Sequence, residues 1–145
     1  MILDLDRTPL GRSTLELSGS VELGLGEGRA PETALSGELT IQNLESRVLA
    51  SGTLQASGTA ECARCLASFR IDWDVPVDFM VLRDVHSEET EGETLLILQR
   101  DGEVELAESL REFAALAYPQ STVCREDCRG LCASCGADLN DGPCG

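Results

Sequence analysis

Phe69-Arg70-Ile71-Asp72-Trp73-Asp74-Val75-Pro76-Val77-Asp78-Phe79-Met80-Val81 decides the fold. Every odd position from 69 to 81 is apolar, while Arg70, Asp72, Asp74 and Asp78 hold even ones. A period of two gathers the apolar side chains on one face of a strand; a helix would scatter them around its axis. The stretch therefore predicts a long β-strand with one buried and one wet face. Pro76 lacks the N–H that a ladder uses, which places part of the strand at an edge or a bulge. Trp73 falls on the buried face and reads as core.

The pattern extends outward on both sides. Upstream, Val48, Ala50, Leu54, Ala56 and Ala60 alternate with polar residues. Gly52 and Gly58 fall on the same apolar face and predict strong curvature or close backbone approach. Leu35, Gly37, Leu39 and Ile41 alternate too and pair with that strand as a hairpin turning at Asn43–Ser46. Leu15 to Leu25 forms a further half-wet strand, followed by a Gly-rich turn from Gly24 to Pro31. Leu3 and Leu5 mark a short edge strand, and Arg7 to Arg12 a loop.

Downstream, Arg83 to Glu93 reads as an acidic loop holding the single histidine, His86. That side chain stands among glutamates and reads as solvated. Leu95 to Leu98 is a buried strand with Asp101-Gly102 as its turn. Leu106 to Tyr118 is the one helix: Leu106, Leu110, Phe113, Ala114 and Ala117 recur at three- and four-residue spacing, and Pro119 ends it. The expected class is α+β: a curved, mostly antiparallel β-sheet, bent enough for a barrel-like closure, with one packed α-helix and a C-terminal cysteine-rich zinc-knuckle tail. Residues 1–118 are expected to form the β-rich domain with its helix, and 119–145 a metal-binding tail packed on it.

Five of the seven cysteines lie in that tail, at 124, 128, 132, 135 and 144. Cys132-Ala-Ser-Cys135-Gly136 has the form of a zinc knuckle, two thiolates presented by one tight turn. Cys124, Cys128, Cys132 and Cys135 form the leading candidate quartet for a structural Zn²⁺. Cys62-Ala-Arg-Cys65 sits where one strand ends and the next begins and reads as a second knuckle in a β-turn, and Cys62 and Cys65 with Cys132 and Cys135 form the second candidate set. Spacing does not separate the two, and it leaves Cys144 without a role. Cys62 and Cys65 could instead be a reactive dithiol, although no helix N-terminus follows Cys62 to lower its pKa, or two reduced cysteines packed in a turn. Arg64, Arg125 and Arg129 sit beside the cysteines. They offset the negative charge of a four-thiolate centre, or else form, with Arg70, a small basic island for an RNA phosphate or another partner.

The net charge is −15, from 26 acidic and 11 basic residues, and every basic residue is Arg. Such a chain repels a bare phosphate backbone at long range and attracts basic partners. The start, Met1-Ile-Leu-Asp-Leu-Asp-Arg7, lacks a basic stretch leading into an apolar one, and the longest aliphatic run, Leu95–Leu98, is too short to span a bilayer. A cytoplasmic protein with reduced thiols is expected, in which CxxC spacing points to metal. No nucleophile elbow, triad or phosphate-binding loop is present, and the expectation is a protein without enzymatic activity. Cys128-x₃-Cys132-x₂-Cys135 matches an iron–sulfur spacing of radical enzymes, but the chain lacks the βα alternation of their barrel.

Cys62-Ala-Arg-Cys65-Leu66, the acidic insert, the helix ending in Tyr118-Pro119, and Cys128-x-Gly130-Leu131-Cys132-x-x-Cys135-Gly136-x-x-Leu139-Asn140 together resemble the YceD family of large ribosomal RNA subunit accumulation proteins. The resemblance spans nearly the whole chain, and its specific part is the segment after the helix. It implies a bacterial cytosolic protein, or a plastid one in plants, that supports accumulation of large-subunit (23S) ribosomal RNA. Its gene would often neighbour that of ribosomal protein L32, which makes L32, another basic large-subunit protein or a pre-large-subunit particle the implied partner. It does not decide whether RNA is touched directly. The alternative from the residues themselves is a thiol-based redox or zinc-handling protein using Cys62 and Cys65.

Overall fold

The structure is a computed structural model that describes residues 1–25, 31–83, 95–98 and 102–144. Its elements are β1 (Ile2–Asp4), β2 (Gly11–Glu22), β3 (Glu32–Asn43), β4 (Arg47–Glu61), β5 (Ser68–Leu82), β6 (Leu95–Leu98), β7 (Glu103–Glu105) and α1 (Ala107–Ala117). Strands β2 to β6 form one open sheet in chain order, and β1 pairs with β7 in a separate ribbon. The expected α+β architecture is what forms, and its sheet does not close into a barrel.

Three antiparallel ladders carry the sheet, with Leu15 opposite Leu39, Ile41 opposite Ala50 and Leu54 opposite Val75. The decisive strand behaves as its alternation demands: Trp73, Val75, Val77, Phe79 and Val81 are buried, and Asp72, Asp74 and Asp78 are exposed. Pro76 stays in register with Thr53, so it makes no bulge. Strand β6 reaches only Phe79 to Leu82, so among the described residues Pro76 lies where β5 has one neighbour, as an edge position requires. The β5–β6 pair is parallel, the exception in an otherwise antiparallel sheet.

The glycines on the apolar face mark close approaches. A Cβ on Gly52 would stand 3.0 Å from both the Glu38 carbonyl oxygen and Leu39 Cδ2, and one on Gly58 3.2 Å from Thr33 Oγ1. The hairpin turn expected at Asn43–Ser46 forms between β3 and β4, with Glu45 at φ +68° and its N–H donating to Asn43 Oδ1. Strand β2 begins earlier than its hydrophobic pattern, because Gly11 to Thr14 pair with Thr40 to Asn43. His86 and Asp101 lie outside the described residues.

Helix α1 covers the apolar face. Leu106, Leu110 and Ala114 are fully buried in one core with Leu17, Leu35, Leu54 and Val75. The apolar Leu106 side chain cannot cap the helix, so the preceding Glu105 does: its Oε1 accepts the Ala107 N–H at 2.9 Å. The helix stops before Pro119, and Tyr118 meets Trp73 edge-on with ring centroids 5.2 Å apart. The chain leaves the helix beside the tip of the β4–β5 hairpin, which places the cysteine tail there.

Candidate metal centre

The β4–β5 ladder runs to Glu61 opposite Ser68, so residues 62–67 are the hairpin tip. That tip is the first knuckle. The Cys62 N–H donates to the Ala67 carbonyl at 2.8 Å, and the Leu66 N–H to the Cys62 carbonyl at 2.9 Å. Leu66 takes φ +62° to close the turn. Both thiols then point to the same side, and the Cys65 N–H donates to Cys62 Sγ at 3.5 Å.

The tail is stitched to this tip before its first cysteine. The Ala63 N–H donates to the Thr122 carbonyl at 2.7 Å, and Thr122 Oγ1 to the Glu61 carbonyl at 2.9 Å. Cys124 and Cys128 follow, and the sulfurs of Cys62, Cys65, Cys124 and Cys128 all lie within 4.8 Å of one another. Cys62 Sγ and Cys128 Sγ are 3.7 Å apart, as are Cys65 Sγ and Cys124 Sγ. A tetrahedral ion with metal–sulfur bonds of about 2.3 Å sets its ligand sulfurs about 3.8 Å apart. The donor set and its spacing thus fit a thiophilic metal ion.

The chemistry of the sulfurs points the same way. Cys62 is drawn down to about 6, chiefly by the Cys65 backbone N–H, whereas Cys124 is pushed up to about 12 by burial and then by its sulfur neighbours. Cys128 is lowered first by the Asn140 amide, whose Nδ2 donates to its sulfur at 3.4 Å. Four thiols this close cannot all ionise unaided; a bound cation would remove that conflict. Apolar burial adds only a small packing patch there. Cys62, Cys65 and Cys128 form their own small cluster with Phe69, Val123, Cys124 and Leu131, apart from the main core.

Neither of the two candidate quartets assembles as one cluster. The structure keeps Cys124 and Cys128 together and joins them to Cys62 and Cys65, while Cys132 and Cys135 group with Cys144. The divider is Gly130, whose φ of +75° turns the chain between Cys128 and Cys132. Cys132 is drawn down to about 6, first by Cys144, whose sulfur lies 3.0 Å away, then by backbone N–H groups of its own turn.

Arg64 proves to be a clasp. Its Nη1 donates to the carbonyl oxygens of Cys128 at 3.0 Å and Glu126 at 3.1 Å. Arg125 Nε lies 3.6 Å from Asp127 Oδ1, and Arg129 is exposed. Sequence reasoning missed Asn140. Besides touching the Cys128 sulfur, its Oδ1 accepts the Arg129 N–H at 2.9 Å. Its signal was the Asp138-x-Asn140 pair, a turn-forming spacing in which Asp138 Oδ1 accepts the Asn140 N–H.

The family described as large ribosomal RNA subunit accumulation protein YceD matches residues 50–145, from β4 through the tail. An uncharacterized protein of Mycobacterium tuberculosis is 33% identical over 107 residues, covering 73% of this chain and 52% of the relative. An uncharacterized protein of Mycobacterium leprae is 28% identical over 151 residues, covering 92% of this chain and 66% of the relative. The chain thus spans about half the length of the first of these and about two thirds of the second. No solved structure matches it. Among the described residues no helix is long and apolar enough to cross a membrane. The matched segment contains the hairpin tip and every cysteine, and the chain belongs to the YceD family of large ribosomal RNA subunit accumulation proteins.

Proposed function

We propose that the protein is a non-enzymatic ribosome biogenesis factor of the cytoplasm that supports accumulation of 23S ribosomal RNA by holding a basic large-subunit protein or a pre-large-subunit particle. Family membership supports the process. The observation that carries the choice of partner is the exposed face of the sheet. Glu16 stands directly opposite Glu38, and Glu22 opposite Glu32, with all four side chains exposed. Like charges paired across strands destabilise a sheet, so a face that keeps two such pairs suits a cationic partner. Asp72, Asp74 and Asp78 extend the same face on β5, and among the described residues Arg12, Arg47 and Arg70 are its only cations. Ribosomal protein L32 is one candidate occupant. Contact with naked RNA is disfavoured, because such affinity comes from cations on phosphates.

In this reading Zn²⁺ is the ion of the Cys62, Cys65, Cys124 and Cys128 cluster. It supplies no chemistry beyond cross-linking; the four thiolates fix the tail on the hairpin tip. The competing use of Cys62 and Cys65 as a reactive dithiol needs accessible sulfur, and these residues are 0% and 8% exposed.

Pull-downs from lysate across a salt series, beside mobility-shift titrations with large-subunit RNA, test the proposal. The expected result is capture of a basic large-subunit protein or assembling particle that weakens with salt and is lost in a Glu16→Lys, Glu38→Lys variant. Tight binding to naked RNA that survives in that variant and disappears on Arg125→Ala with Arg129→Ala would overturn the choice of partner.

A further inference from the structure

The second CxxC turn copies the first. The Cys132 N–H donates to the Ala137 carbonyl at 2.8 Å, as Cys62 does to Ala67, and the Gly136 N–H to the Cys132 carbonyl at 2.9 Å, as Leu66 does to Cys62. Gly136 has φ +73° where Leu66 has +62°. Leu131 bridges to Asp138 across the base of the second turn, as Glu61 pairs with Ser68 across the first. A turn that presents two thiols to one metal has therefore been built twice. The copy has its own third sulfur: Cys132, Cys135 and Cys144 lie within 4.8 Å of one another.

The two clusters differ in closure. Cys62, Cys65 and Cys128 are buried, whereas Cys135 and Cys144 are exposed. Among the described residues no fourth Cys, His, Asp or Glu joins the second group. Sites with four protein ligands are closed and structural; sites with three keep a position for an incoming ligand. We propose that Cys132, Cys135 and Cys144 form a second, exchangeable metal site for a thiophilic d¹⁰ cation of the Zn²⁺ class, bound by three thiolates with its fourth position open to solvent. On binding, each thiol releases its proton to solvent as its sulfur–metal bond forms, and no electron is transferred. Cys132 and Cys144 must part from 3.0 Å to about 3.8 Å, which rotation of the exposed Cys144 side chain permits. The proposal goes beyond the assembly role and holds whether or not that role is correct.

Reduced, metal-free full-length protein is titrated with Zn²⁺, and release to a chromophoric chelator is followed in time. The expected outcome is two equivalents per chain, one leaving at least about tenfold faster than the other, since an open position admits the chelator and a closed one does not. Cys144→Ser should abolish the fast equivalent and keep the slow one; Cys62→Ser should do the reverse. Cys135→Ser, at an exposed position, repeats the first test independently of folding. With Co²⁺ as probe, the fast equivalent should contribute about three quarters of the thiolate charge-transfer absorbance of the slow one, following three sulfurs against four. A single slow equivalent unchanged by Cys144→Ser overturns the proposal, as does a Cys132–Cys144 disulfide that persists under reducing conditions and blocks zinc. A fast equivalent without a slow one would instead refute the four-cysteine centre and leave this site standing.

Discussion

Gly130 lies against Arg64: a Cβ on the glycine would stand 3.1 Å from the Arg64 carbonyl oxygen and 3.4 Å from Arg64 Cβ. The tail and the hairpin tip touch backbone to backbone there, and the same arginine reaches across to the Cys128 carbonyl. Gly130→Ala meets two obstacles, the contact and a φ of +75° that L-residues avoid. It should cost about 1–2 kcal/mol. Chemical denaturation of the two proteins at equal metal loading checks this; an unchanged midpoint would show that the contact relaxes freely.

Asn140 holds the Cys128 sulfur and the Arg129 N–H at once. Partners that orient a ligand typically govern affinity without touching the ion, so Asn140→Ala should weaken zinc binding at the four-cysteine centre by about 10- to 100-fold. Competition against a chelator of known affinity measures it. Cys128→Ser should lose that ion altogether and loosen residues 119–144 in hydrogen exchange, while the sheet stays protected.

Thiol labelling separates the structural and the reactive use of the hairpin-tip cysteines. In metal-loaded protein at neutral pH, Cys62 and Cys65 should alkylate slowly, because both are buried. Stripping the fast-released metal should make Cys135 and Cys144 label rapidly without changing Cys62. Rapid, selective labelling of Cys62 in loaded protein would favour the redox reading.

Glu105 gives the helix a pH-dependent anchor. Its carboxylate is held below its ordinary value, first by the Ala107 N–H and then by the Met1 ammonium 3.3 Å away. A carboxyl whose folded pKa is depressed adds stability that is fully present above its unfolded value, near 4.5, and is lost as pH falls through the folded one. Glu105→Gln should therefore melt lower than the parent at pH 7. The gap should shrink below about pH 4 and vanish once the carboxyl is protonated in the folded and unfolded chains alike. Melting curves across that range test the sign.

The sheet was legible where burial is one-sided. Trp73 to Val81 and Val48 to Ala60 alternate because one face is buried in the core that α1 joins and the other meets water. Gly11 to Thr14 carried no such pattern; their pairing comes from the register with β3, which local sequence does not encode. The parallel setting of β6 was equally silent in four aliphatic residues. The cysteines were legible as metal ligands in kind but not in partnership. Adjacency in the chain favoured Cys128 with Cys132, and a single left-handed glycine between them sends the two sulfurs to different clusters. Cys62 and Cys65 were legible as a second knuckle from their spacing and place between strands, although Leu66 takes the left-handed conformation that only Gly136 advertises.

Cys62 and Cys128 are 66 residues apart in the chain and 3.7 Å apart in space. An ion held there fastens a loop that contains β5, β6, β7 and α1. The entropy of closing such a loop grows only with the logarithm of its length, so doubling the enclosed chain would cost about 0.6 kcal/mol. The total length of chain between the two sulfurs thus has little thermodynamic hold on the fastening. A shortened hairpin tip is different, since it would remove the sulfurs themselves.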